Sequence, residues 1–269
     1  MPLLAPERRE RILARLAENG TVSVQGLAEE LNVTRETIRR DLDQLEETGS
    51  VQRVHGGAVP AGSSSRAETS WHERRHRHSA AKQAIAQAAL QFVPPAESGS
   101  MIVDAGTTTE ALADLLAAQA LQHGTHGSSR FLLTNAVPIA QKLSDAAAID
   151  VEILGGQVRG LTGAVIGDQA LGTLARRRAD IAFIGTNGVD ATFGLSTPDP
   201  AEAAVKSALI RAARRAVLLA DSSKLGEASL VQFATLADLS VLITDQAPPP
   251  QLQAALDEAD VRVIVAEPS

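Results

Sequence analysis

Seven short apolar runs between residues 101 and 265 constrain this chain more than any other feature. They are Met101–Asp104, Phe131–Thr134, Val151–Leu154, Ile181–Ile184, Val217–Ala220, Val241–Thr244 and Val261–Val265. Runs this short, apolar on consecutive positions, read as strands buried on both faces. Helical patterns separate most of them, and a helix from about Ser79 to Gln91 leads in. Strands alternating with helices predict an α/β domain on a mostly parallel sheet. Its core has to be aliphatic, because aromatic residues make up 2% of the chain and tyrosine is absent. The lack of tyrosine also excludes Tyr-based acid chemistry.

Residues 1–58 follow another pattern. Glu7–Asn19 sets Ile12, Leu13 and Leu16 on one face, and Gly20 ends it. Thr21–Val24 is a short extended piece. Ser23 or its neighbour then caps a second helix through Leu27, Ala28 and Leu31. After a tight turn at Asn32-Val33, Thr34 is a good N-cap for a third helix, with Ile38, Leu42 and Leu45 at i, i+4 and i+7. Val51–Val54 alternates like a strand, and His55-Gly56-Gly57-Ala58 offers a turn. Residues 59–70 are rich in Pro, Gly and Ser and cannot pack a core. The expected organisation is a small domain over 1–58, a linker over 59–78 and an α/β domain over 79–269.

Two helices joined by a short turn, the second capped and arginine-rich, make a helix-turn-helix. With the aliphatic side chains of the third helix facing inward, Arg35 and Arg39 share one flank, and Arg40 and Glu36 point further outward. Thr34 and Thr37 sit at its first turn, where backbone N–H groups favour a phosphate. Arginine can grip a guanine edge or a phosphate with two bonds. Arg53 and His55 lie at the base of a possible wing. Arg8 is expected to matter much less for DNA than Arg39. Against this, the net charge is −7, and the first sixty residues hold eight arginines against ten carboxylates. DNA binding would therefore rest on where the arginines sit and not on total charge.

In the larger domain, Asp104-Ala105-Gly106-Thr107-Thr108-Thr109 follows a strand and opens a helix. Small residues there let a ligand approach the backbone, and a helix N-terminus favours an anion. It is a phosphate cradle without a Walker lysine. Further polar turns end later strands: Thr134-Asn135, Gly155-Gly156, Gly185-Thr186-Asn187-Gly188-Val189-Asp190 and Asp221-Ser222-Ser223-Lys224. Glu202 and Lys206 lie at i and i+4 and face together, where the bland reading is a surface ion pair. In open α/β sheets ligands sit at the carboxyl ends of strands, so these turns could converge on one site.

Residues 8–58, above all Thr37-Ile38-Arg39-Arg40-Asp41-Leu42 and Arg53-Val54-His55-Gly56-Gly57-Ala58, resemble the signature of DeoR-family repressors. The resemblance runs on through Asp104–Thr109, Thr134-Asn135, Leu154-Gly155-Gly156, Ala182–Gly185, Glu202 with Lys206, and Ala220–Lys224, in the family's order. It implies that the helix starting at Thr34 reads DNA. It also implies a sensor with the fold of ribose-5-phosphate isomerases, in which Gly106–Thr109 hold the phosphate of a sugar. Asp104, Asn135, Asn187, Asp190, Glu202, Lys206 and Lys224 would surround that sugar, with Gly155, Gly156, Gly185 and Gly188 in the lining turns. The implied protein is a repressor of a carbohydrate catabolism or uptake operon; a homo-oligomer is expected because symmetric operators pair with two-fold proteins, and no cofactor is expected. Three departures stand out. Gly26 replaces an acidic residue and removes a capping box, residues 94–100 replace a Gly-Asp pair, and the loop from Gln122 to Arg130 is enlarged.

Two other function classes fit parts of the sequence. A sugar-phosphate isomerase with an accessory DNA-binding domain could use Glu202, Lys206 and Asp190 for proton transfer, but an isomerase has no need of a recognition helix. A binding-only scaffold would bind neither operator nor effector. His72-Glu73-Arg74-Arg75-His76 is formally a zinc-protease motif. Its arginines oppose a metal ion, and it reads better as a basic, pH-sensitive connector. No cysteine is present, so disulfides and thiolate nucleophiles are excluded. The N-terminus lacks signal-peptide character, and no run approaches the roughly 18 apolar residues of a membrane span; the cytoplasm is the expected compartment.

Overall fold

The computed structural model describes residues 5–19, 22–48, 50–54, 57–60, 71–95, 98–123, 129–146 and 148–267. The chain divides into two compact units, Met1–Glu68 and Thr69–Ser269.

The first unit runs α1 (Ala5–Asn19), β1 (Val22–Ser23), α2 (Val24–Glu30), α3 (Arg35–Glu47), β2 (Val51–Val54) and β3 (Gly57–Pro60). Both expected caps form. The Ser23 side chain accepts from the Gly26 N–H at 3.0 Å, so a cap survives although the acidic half of the box is gone. The Thr34 side chain accepts from the Thr37 N–H at 3.2 Å. The strands make an antiparallel sheet in the order β1-β3-β2, with Val22 and Arg53 both opposite Ala58. Gly57 is required there, because a Cβ would lie 2.0 Å from the Val22 carbonyl oxygen. Ile12, Leu16, Leu27, Ile38, Leu42 and Leu45 form the core. Strand β3 continues through Val59 and Pro60, two residues expected in the linker. The rest of that Pro/Gly/Ser stretch, 61–70, lies outside the described residues, and Trp71–His76 is helical.

The second unit runs α4 (Trp71–His76), α5 (Ser79–Ala89), β4 (Ser100–Val103), α6 (Thr107–His123), β5 (Arg130–Thr134), α7 (Val137–Leu143), β6 (Ile149–Ile153), β7 (Gln157–Arg159), β8 (Ala164–Ile166), α8 (Asp168–Leu174) and β9 (Ile181–Gly185). It continues through β10 (Gly188–Asp190), β11 (Gly194–Thr197), α9 (Pro200–Arg211), β12 (Ala216–Leu219), β13 (Val231–Ala234), β14 (Val241–Thr244), α10 (Pro250–Glu258) and β15 (Arg262–Val265). All seven expected strands enter one sheet in the order β15-β14-β12-β9-β4-β5-β6, and every pairing in it is parallel. Successive side chains point to opposite faces. Ile102, Leu133, Ala182, Ile184, Leu218 and Leu242 therefore pack with α8, α9 and α10. Met101, Val103, Leu132, Phe183, Val217 and Ile243 pack with α5, α6 and α7. Two elements were not foreseen: the hairpin β7–β8 and a separate antiparallel sheet in the order β10-β11-β13.

From β4 the chain adds β5 and β6 on one side, then returns to place β9, β12, β14 and β15 on the other. The direction of winding switches between β4 and β9. At such a point the connections diverge to opposite faces and leave a crevice at the carboxyl ends.

Candidate functional site

In the first unit, α3 presents an exposed polar face. Thr34, Arg35, Arg39 and Arg40 are exposed and Thr37 is half-buried. Glu36 lies between two of the arginines, 3.7 Å from Arg39 Nη1 and 3.7 Å from Arg40 Nε. These contacts are long and solvated, so they hold the guanidiniums only weakly. The side chain of Arg53 and all of His55 lie outside the described residues; the Arg53 backbone is in β2.

Arg8 lies in the interior of the same unit. Its guanidinium is buried and donates Nη2 to Asp41 Oδ1 at 3.0 Å, with Nε on the other carboxylate oxygen. Asp41 is itself buried and belongs to α3. Arg8 is thus a tie between α1 and the helix that carries Arg39, a partner the sequence reading did not identify.

In the second unit, the switch point holds a buried ionic cluster. Asp104, fully buried just past β4, accepts at Oδ2 from the Gly185 N–H at the end of β9, 3.0 Å away. The same oxygen accepts from Lys206 Nζ, which also donates to the Gly185 carbonyl at 3.0 Å. The other oxygen of Asp104, Oδ1, is buried without a hydrogen-bond partner among the described residues. Burial pushes this carboxyl above the ordinary aspartate value, against the pull of the Lys206 ammonium and the Gly185 N–H. A buried orphan acceptor is uncommon in folded proteins and calls for a partner such as a water or another donor.

The expected Glu202–Lys206 pair does not form. Both are buried on α9, but each takes another partner. Glu202 Oε1 accepts from Arg159 Nη1 at 3.1 Å and from the Thr162 hydroxyl. Lys206 reaches Asp104, and its ammonium lies 5.7 Å from the centre of the Phe233 ring. The i, i+4 spacing put both on one face, and tertiary partners then outcompeted the local pair.

The loop Ala105-Gly106 leads into α6 at Thr107. The Ala105 N–H donates to Asn135 Oδ1 at 2.9 Å, so Asn135 holds the loop in place. The Thr109 hydroxyl donates back to the Gly106 carbonyl at 2.9 Å and is fully buried, which takes it out of the cradle. Gly106, Thr107 and Thr108 remain at the helix N-terminus, where unpaired backbone N–H groups favour an anion.

The remaining expected residues divide. Asn187 Oδ1 accepts from Thr197 Oγ1 at 3.1 Å. Asp190 Oδ1 accepts from the N–H groups of Thr192 and Phe193 at 2.8 and 2.7 Å, closing the β10–β11 turn. These bonds hold its carboxyl below the usual range, the Phe193 N–H foremost. Asp190 is therefore tied up as a turn residue. Gly188 lies against the Glu227 backbone, where a Cβ would come within 2.4 Å of the carbonyl oxygen. Gly156 has φ +149°, and a Cβ on it would come within 2.5 Å of the Ile166 carbonyl oxygen, so the Gly155-Gly156 turn seats the β7–β8 hairpin.

Lys224 has companions the sequence reading missed. Lys82, buried on α5, has Asp221 and Lys224 among its charged neighbours, and burial lowers its pKa to about 8. Its Nζ donates to the carbonyls of Arg74 and, at 2.7 Å, Arg77. A signal was available: Lys82 shares the stripe of Ile85, Ala86 and Ala89, all buried, and a lysine on an apolar stripe needs partners. Arg159, Thr162 and Phe233 carried no such signal.

The side chains of His72 and Glu73 lie outside the described residues, so the HExxH segment has no geometry to report. Among the described residues no group of three His, Cys, Asp or Glu could hold a metal ion, and no helix is long and apolar enough to cross a membrane.

A winged helix-turn-helix followed by an α/β unit with a ligand crevice defines a two-part transcription regulator, one part for DNA and one for a signal. Residues 8–63 match the DeoR-like helix-turn-helix domain, and residues 77–246 match the DeoR C terminal sensor domain. The chain belongs to the DeoR family of transcriptional regulators. It is 34% identical to the HTH-type transcriptional regulator GlpR of Haloferax volcanii, over 97% of this chain and 98% of that one. It is 30% identical to the glycerol-3-phosphate regulon repressor of Escherichia coli K12, over 96% and 97%. Among solved structures, ribose 5-phosphate isomerase A of Methanocaldococcus jannaschii aligns over 54% of this chain and 53% of that one, with TM-score 0.38 and 17% identity.

Proposed function

We propose that this regulator is a cytoplasmic homo-oligomeric repressor of a carbohydrate catabolism or uptake operon, released from its operator by a phosphorylated sugar. Residues 1–58 would read DNA through Thr34, Arg35, Thr37, Arg39 and Arg40, with Arg53 and His55 on the wing, and 79–269 would sense, with 59–78 between. The observation that carries the sensing role is the orphan Asp104 Oδ1 at the switch point, beside the Gly106–Thr108 helix N-terminus. A phosphate suits the helix end, and a sugar hydroxyl suits the orphan oxygen. Asn135, Gly185, Glu202 and Lys206 frame the sugar side, and Lys224 with Lys82 adds positive charge. The name of the Escherichia coli relative, a regulon repressor for a phosphorylated polyol, supports this effector chemistry.

Release follows by linkage: an effector that binds one arrangement of the sensor better lowers the DNA-competent population. Proton-transfer catalysis is disfavoured, because Glu202 already accepts two bonds and the Asp190 carboxylate closes a turn. The test uses a duplex selected by the full chain from a random pool. Its release is followed by fluorescence anisotropy across sugars and their phosphates. Phosphates should release it and parent sugars should not; release by a free sugar as effective as its phosphate overturns the reading.

A further inference from the structure

The amino edge of the seven-stranded sheet, at the far end of the strands from the crevice, carries its charges in two blocks. Helix α8 ends at Leu174 and α9 at Arg211, and each runs into a short loop that leads to β9 or β12. The two loops are bonded to one another: the Ala179 N–H donates to the Ala212 carbonyl at 2.8 Å, and the Arg214 N–H to the Ala179 carbonyl at 2.9 Å. This pairing brings together Arg176, Arg177, Arg178, Arg211, Arg214 and Arg215, all exposed. The edge continues with the Ser240 N–H on the Ala216 carbonyl at 2.9 Å and the Arg262 N–H on the Ser240 carbonyl at 3.1 Å. There, ahead of β14 and β15, stand Asp238, Asp257, Glu258 and Asp260, again all exposed, with Arg262 beside them.

Among the described residues, the two blocks find few partners of opposite charge. Arg177 pairs with Glu152 at 2.6 Å. Asp180 is a carboxylate inside the arginine block, but it accepts from the N–H and hydroxyl of Ser100 on β4, at 2.9 and 2.7 Å. It stands 3.9 Å from Arg214, whose side chain is 70% exposed. Arg215 lies 5.8 Å from the centre of the Phe92 ring, and Arg211 bonds the Ser207 hydroxyl; neither contact neutralises a charge. Asp238 and Asp257 accept from the neutral Thr235 and Gln253. All six cations of the first block are arginines. The flat guanidinium takes a carboxylate by two bonds, and arginine is enriched at protein interfaces where lysine is depleted.

Neighbouring strands lie about 4.8 Å apart, so two strand spacings, about 10 Å, separate the centres of the blocks. A duplex laid along this edge would meet the acidic block beside the arginines. A second copy related by a two-fold axis that passes between β12 and β14 instead sets arginines on carboxylates twice over, once in each direction. Such self-complementarity is what an isologous interface requires. We infer that this edge joins two copies of the chain, the arginine block of each on the acidic block of the other. The inference rests on the proposed homo-oligomer and names the face that builds it. The effector crevice, at the other end of the strands, is left uncovered by this pairing. Exposed ion pairs are individually weak and screened by salt, so the association is salt-sensitive.

The experiment measures self-association of the full chain without DNA, by sedimentation equilibrium at about 0.1 M and about 1 M salt, where the Debye length is about 10 and 3 Å. Wild-type association should weaken at least tenfold at the higher salt. Arg176→Glu/Arg178→Glu/Arg214→Glu reverses the sign of the first block, and Asp257→Arg/Glu258→Arg that of the second. Each variant alone should associate at least tenfold more weakly than wild type at the lower salt. An equimolar mixture of the two should recover association to within about threefold of wild type, which also reports that both are folded. Association retained in either variant, or a mixture that recovers nothing, overturns the inference; an oligomer that persists through both reversals leaves the proposed homo-oligomer standing on another face. A wild-type chain that is monomeric at both salts overturns the two together. The selected duplex is titrated in parallel. A triple variant that binds it at least tenfold more weakly with unchanged self-association makes the arginine block a DNA surface, which also overturns the inference.

Discussion

Arg8→Ala should cost the DNA-binding unit about 3–5 kcal/mol, because it leaves the buried Asp41 carboxylate without its guanidinium. A unit of this size has a total stability of only about 3–10 kcal/mol, at roughly 0.05–0.15 kcal/mol per residue, so the loss would unfold a substantial fraction of it. The same unit holds an internal control. Arg15 and Glu30 pair at 2.7 Å, but their side chains are 36% and 35% exposed. An exposed pair contributes about 0–1 kcal/mol, and Arg15→Ala should fall in that range. The assay is native-state amide hydrogen exchange of the full chain, resolved by peptide, which reports the opening free energy of each region separately. In Arg8→Ala, α1 and α3 should lose protection while α6 keeps it. Operator affinity should fall as well, through α3, since the Arg8 side chain is buried. An apolar replacement of the whole pair, Arg8→Met with Asp41→Leu, should restore much of the protection, because it removes the charge along with its partner. A loss below about 1 kcal/mol in Arg8→Ala, matching the exposed pair, would refute the reasoning.

Three further outcomes are expected. Arg39→Ala should weaken binding to the selected duplex by about 1–3 kcal/mol in a salt-matched mobility shift while thermal unfolding stays unchanged; equal affinity would remove Arg39 from the reading face. Thr108→Val should blunt release by sugar phosphates and leave effector-free duplex binding intact, and unaltered release would move the phosphate away from this turn. Lys82 should titrate near pH 8 in NMR of labelled lysine, below its ordinary 10.5. Between those values the unfolded chain binds more protons than the folded one, so this residue's contribution to stability should rise with pH from about 8 to 10.5. Urea unfolding of wild type against Lys82→Met at pH 7.5 and 9.5 checks the sign, and a pH-independent difference would contradict it.

Much of this protein follows from residue order alone. The seven strands were legible because a strand buried on both faces must be apolar at nearly every position. Helix α3 was legible because a Thr cap and a spacing of i, i+4, i+7 are local signals. The turn from β4 into α6 was legible because a strand, small residues and a helix start lie next to one another in the chain. Partners were a different matter. Glu202 and Lys206 are neighbours in sequence but take Arg159, Thr162 and Asp104 as partners, up to 102 residues away. The Arg8–Asp41 pair spans 33 residues and had no local signal; the α1–α3 packing buries it. Asp190 and Gly156 read as ligand-facing polar turns, and the hairpins they serve are made of short strands with mixed polar pairs that carry no periodic signal. The switch point itself depends on β9 pairing with β4 across 80 residues. Local hydrogen bonding and side-chain periodicity are written in the sequence. Which buried charge meets which is decided by desolvation, since an ion taken from water must find a partner wherever the sheet order brings one.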